Sequence, residues 1–132
     1  MMAKDNVSPL GSLEDISNAR KELMKFNIDE KVSKTLHLVL KRKWWDMIAS
    51  GEKKEEYREI CGYWIKRLIE GEYQGSDKLN RYKPFKNVCF HLGYTNTTMT
   101  FRIVRIRMGY GLPQWGGINE RVFIIILGER IE

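Results

Sequence analysis

Leu36, Leu38 and Leu40 recur at every second position, the signature of a strand with one buried face. The pattern then changes. Over Lys41–Ser50 the apolar residues Trp44, Trp45, Ile48 and Ala49 fall on one side of a helix. Gly51 stands where the left-handed residue after a helix belongs. A strand is expected over 53–60, and a second short helix over Tyr63–Glu70, where Trp64, Ile65, Leu68 and Ile69 form the apolar side and Gly71 closes it. Residues 71–84 are polar and turn-rich. Asn87–Leu92 alternates again, with Val88, Phe90 and Leu92 on one face and Cys89 and His91 on the other. After a turn at Tyr94–Thr97, the strand over Thr98–Met108 slips parity: Phe101 and Ile103 are odd, Ile106 and Met108 even. A strict strand cannot hold both pairs on one face, so a β-bulge is predicted near Val104–Arg105. Val122–Leu127 is continuously apolar, as in a strand covered on both faces. Two early helices among about five strands predict an α+β domain over residues 35–132, built round a curved sheet or small barrel.

Residues 1–34 read as an N-terminal extension. Ser12 with Asp15 resembles a capping box, Leu13, Ile16, Leu23 and Met24 recur at roughly helical spacing, and Asn27–Lys34 is a polar linker. Such an extension helix can serve a protein partner. The longest apolar run, Val122–Leu127, is far short of the ~20 residues that a bilayer crossing needs. The opening MMAKDNVSPL lacks the apolar core of a secretory signal, so a cytoplasmic location is expected. Cys61 and Cys89 are too few for a disulfide framework, and a four-ligand zinc site would need both of them with His37 and His91. No metal and no cofactor are expected, and both thiols are read as small reduced core residues.

The charge of +6 matters less than its distribution. From Lys78 to Asn119 there is no acid, while Lys78, Arg81, Lys83, Lys86, Arg102, Arg105 and Arg107 are positive. A one-sign stretch makes a face that attracts polyanions, nucleic acid foremost. A solvated basic surface fits the same charges equally well.

The chemistry concentrates in Gly51-Glu-Lys53-Lys-Glu-Glu56-Tyr-Arg58. In an extended segment Glu56 and Arg58 share a face, and Tyr57 turns the other way, expected into the core. Lys53, at the helix-to-strand corner, can swing over the Glu56–Arg58 face. Two cations held by one carboxylate suit phosphate, with Arg58 as the fork and Lys53 as the point charge. The same trio suits acid/base work if burial lowers the Lys53 pKa. A plain surface ion-pair ladder has the same spelling.

Gly51, Lys53, Glu56 and Arg58 match G-x-K-x-x-E-x-R, and on this motif the chain resembles the ASCH domain family, a branch of the PUA-like β-barrels. The preceding LHLVLKRKWWDMIAS fits the strand and helix that come before the motif in that family. The ending GYGLPQWGGINERVFIIILGERIE is similar to that of small prophage- and Bacteroides-type members. The likeness covers about residues 35–132. It implies a small PUA-like barrel with two or three flanking helices and a cleft that takes RNA or a modified base. Lys53, Glu56 and Arg58 would line that cleft, and Gly51 would form the corner that positions them. Some small bacterial members resemble amidohydrolases of acetylated cytidine, using the motif Lys, a Thr three residues later and a Glu elsewhere. This chain keeps Lys53 but has Glu56 in the Thr place, so the hydroxyl is missing. Other members resemble ribonucleases.

Further candidates for ligand contact are aromatic and basic. In the uncharged loop Gly109–Gly117, Tyr110 or Trp115 can stack on a base, or Trp115 can plug the barrel end. Of Trp44 and Trp45, at least one faces the core and the other can rim the cleft. Arg102, Arg105 and Arg107 can track a phosphate backbone or simply solvate a sheet face. The expectation is a module that binds RNA or a modified nucleobase or nucleotide through Lys53, Glu56, Arg58, Trp44, Tyr110, Trp115, Arg102, Arg105 and Arg107. The alternative is a small hydrolase of a modified nucleoside or RNA, with Lys53 as base or nucleophile and Glu56 as its partner.

Overall fold

Alternating burial organises the fold. In β1 (Thr35–Leu40) every second residue is buried, and those three leucines form one wall of the core. The computed structural model describes residues 34–132, of which Thr35–Glu132 forms one compact unit; the helix expected over Leu13–Met24 lies outside the described residues. After β1 come α1 (Arg42–Ala49), β2 (Glu55–Glu59), α2 (Gly62–Leu68), β3 (Asn87–Leu92), β4 (Thr98–Tyr110), a 3-10 turn (Pro113–Trp115) and β5 (Arg121–Arg130). The strands form one mixed sheet in the order β1-β3-β4-β5-β2, curled into a half-barrel. β1 pairs with β3 in parallel, and the other three pairings are antiparallel.

The half-barrel encloses an apolar core. Leu36, Leu38, Val88, Phe90, Met99, Phe101, Phe123 and Ile125 fill it, while Trp45 and Ile48 of α1 and Leu68 of α2 cap it. β5 is buried continuously from Val122 to Ile125, because its position inside the sheet is covered on both faces. The parity slip in β4 is a real irregularity. Ile103 pairs with Leu127 and Arg105 with Ile126, so two steps along β4 match one along β5 and an extra residue is accommodated at Val104. A compensating shift between Phe101 and Ile103 puts the extra residue in β5. The strand thereby returns Ile106 and Met108 to the core.

Four expectations need correction. The strand after α1 starts at Glu55 rather than Lys53, because the Lys53 N–H is spent on the Met47 carbonyl at 3.0 Å and holds that residue in the corner. α2 stops at Leu68 rather than Glu70: Ile69 is extended and bridges to Tyr82, a tertiary pairing that outweighs the local helical pattern. Tyr57 turns away from Glu56 but not into the core; it is half-buried beneath the loop at Gly111 and bonds the Leu112 N–H. Cys61 and Cys89 are also half-buried and outside the core cluster, since they sit at the start of α2 and on the outward face of β3.

Candidate functional site

A sheet that closes only halfway leaves two edge strands, β1 and β2, and the backbone groups along their free edges need partners. A cleft of about 540 Å³ lies here, lined from β1, the α1 corner, β2, α2 and the 3-10 turn. Its floor is the motif. Gly51, at φ 89°, takes the left-handed conformation that ends α1 and turns the chain back toward the sheet. Lys53 follows immediately and is only 2 % exposed; Glu56, on the core side of β2, is 5 % exposed.

The three charged groups converge. Lys53 Nζ donates to Glu56 Oε1 at 2.8 Å and to the Glu55 carbonyl. Arg58 Nη1 donates to Glu56 Oε2 and to the Tyr57 carbonyl at 2.8 Å, and its Nη2 reaches the Val39 carbonyl on β1 at 3.1 Å. Both carboxylate oxygens are thus committed, and Arg58 spans from one edge strand to the other. Burial lowers the Lys53 pKa from its ordinary value, the Glu56 carboxylate raises it back in part, and nearby Arg58 lowers it again. The ring of Tyr57 lies 4.8 Å from Lys53 Nζ, and burial raises the Tyr57 hydroxyl to about 12.

Aromatic rings and cations interleave round this floor. Arg58 lies over Trp64 at 5.3 Å, and Arg67 lies over the same ring at 5.4 Å while its Nη2 approaches the His37 carbonyl at 3.5 Å. Lys53 is 5.4 Å from the Trp44 ring, which packs against Gly116 of the turn that carries Trp115. Tyr63 and Tyr94 complete the rim. Among the described residues, four cations, Lys41, Lys53, Arg58 and Arg67, and one carboxylate, Glu56, line the cleft, so it attracts anions. Flat aromatic walls with a few fixed polar groups suit a planar, polar ligand.

Of the residues singled out from the sequence, the cleft brings together Lys53, Glu56, Arg58, Trp44 and Trp115. Tyr110, Arg102, Arg105 and Arg107 do not line it. Arg102 pairs with Glu129 at 3.1 Å and Arg105 with Asp77 at 3.8 Å, while Arg107 lies against Gly109 beside Ile124. Sequence reasoning missed Trp64, Arg67, Tyr63, Tyr94 and His37. In the sequence Trp64 falls on the apolar side of a helix, and the i, i+3 spacing from Trp64 to Arg67 is the available sign of a stacked pair. No protein-family model, curated protein or solved structure matches the chain.

Proposed function

We propose that this cleft is the ligand site of an ASCH-type, PUA-like module that binds RNA or a modified nucleobase or nucleotide. The observation that carries the reading is the convergence of Lys53, Glu56 and Arg58 in one concave site walled by Trp44, Trp64 and Trp115. A base stacks on the indole faces, and Arg58 and Arg67 offer guanidinium forks to a phosphate or an exocyclic oxygen. Three of the chain's 4 Trp residues line the cleft, so occupancy quenches intrinsic fluorescence. Titration with single-stranded RNA and with modified nucleosides, read by that quenching, tests the proposal. Saturable quenching that is lost in Trp64→Ala supports it; no quenching by any of these ligands overturns it.

A second reading, hydrolysis of a modified nucleoside or RNA, is favoured by one observation: Lys53 is desolvated, with its pKa lowered. Burial of this kind makes a lysine a better base at neutral pH. Two of its donor directions, however, are already taken by Glu55 and Glu56. Incubation with acetylated cytidine and with RNA, followed by chromatography, separates the readings. Turnover abolished by Lys53→Met selects the hydrolase, and binding without turnover selects the module.

A further inference from the structure

The chain has 2 His and 2 Cys, and three of these four residues meet at one spot. β1 and β3 run parallel with His37 opposite Cys89, and His91 follows Cys89 by two, so all three side chains stand on the same face of the sheet. That face is turned away from the core, where Leu36, Leu38, Val88 and Phe90 point. His37 Nδ1 and His91 Nε2 are 3.0 Å apart, Cys89 Sγ is 3.8 Å from His91 Nε2, and one ligand atom from each of the three residues lies within 4.8 Å of the others. Metal–nitrogen bonds of about 2.0–2.1 Å and metal–sulfur bonds of about 2.3 Å place tetrahedral neighbours roughly 3.3 Å (N to N) and 3.6 Å (N to S) apart. Two of the three separations are therefore near a ligand triangle already. The remaining adjustment falls on His37, whose ring is exposed and has room to turn.

We propose that His37, Cys89 and His91 form a binding site for a late first-row divalent ion of the Zn²⁺ type. Two imidazoles and a thiolate, with no carboxylate among them, select such ions over Mg²⁺ or Ca²⁺. The ion replaces the imidazole–imidazole hydrogen bond, and Cys89 releases its proton on binding. Arg67, whose Nη2 lies 3.5 Å from the His37 carbonyl, opposes the ion's charge, and the thiolate offsets part of it. Paired strands hold the ligands, so little ordering is needed on binding. Three protein ligands leave one coordination position for water or another donor, and His37 is a wall residue of the cleft, so the ion sits at the cleft's margin. This site stands independently of the nucleobase reading.

Co²⁺ titration of the full-length, reduced protein tests it. One equivalent is expected to give the visible bands of a four-coordinate ion and a near-ultraviolet thiolate charge-transfer band, both erased by added Zn²⁺. Cys89→Ser should remove the charge-transfer band, and His37→Ala, at an exposed position, should weaken binding at least ~10-fold. Cys61→Ser should leave the spectrum unchanged. A wild-type spectrum without the thiolate band, or a band that survives Cys89→Ser or disappears in Cys61→Ser, overturns the proposal.

Discussion

Glu56 is the residue on which the cleft's electrostatics turn, because among the described residues it is the one acid paired with two buried or half-buried cations. Removing one partner from such a cluster leaves uncompensated charge, which costs more than the pairing itself contributes. Glu56→Ala is expected to destabilise the fold by about 3–5 kcal/mol in urea titrations. Lys53→Met should cost less, since Glu56 keeps Arg58 and the new side chain is apolar; the reverse order would refute the cluster's geometry. Lys53 also sets a pH dependence. Its folded pKa is lowered from 10.5, so between that lowered value and 10.5 the unfolded chain holds a proton that the folded chain lacks. Through this group stability therefore rises with pH across that window. Comparing the pH slopes of wild type and Lys53→Met isolates the contribution from that of Tyr57, whose raised pKa acts in the opposite direction above pH 10.

At the level of elements, the cleft exists because β1 and β2 do not pair, and Arg58 bridges the gap by holding the Val39 carbonyl. Arg58→Lys keeps the charge but cannot reach Glu56 and Val39 together. It should lose about 1.5–3 kcal/mol, the worth of a hydrogen bond to a charged group, with no change in net charge. The loop after β4 is equally tight. A Cβ at Gly117 would lie 2.3 Å from the Gly111 backbone, which cannot move aside as a flexible side chain can. Gly117→Ala is expected to cost about 1–3 kcal/mol and to shift the emission of Trp115; unchanged stability and emission would show that the loop is looser than this packing. Close approach thus explains Gly117, the left-handed φ of 100° explains Gly116, and Trp115 at the same time faces the cleft.

Across the whole molecule, the basic stretch from Lys78 onward is partly neutralised by Asp77 and Glu129. The cleft supplies its own cations from Lys41, Lys53, Arg58 and Arg67. Under the proposed RNA-binding reading, affinity should fall as salt rises, with a log–log slope of about −0.7 per phosphate contacted. Arg67→Ala should flatten that slope, and a slope near zero in the wild type would rule out phosphate contact. No described helix is long and apolar enough to cross a membrane.

What the sequence determined alone is what depends on neighbours along the chain. Period two made the core faces of β1 and β3 legible, together with the shared face of Glu56 and Arg58, and the parity change in β4 announced its bulge. The αL corner at Gly51 was readable for the same reason. Tertiary structure decided the rest. That Arg67 stacks on Trp64 beside His37, that α2 ends at a bridge to Tyr82, and that His37 meets His91 from 54 residues away all follow from strand order and register. Those are set by burying the whole core at once, and no local pattern encodes them.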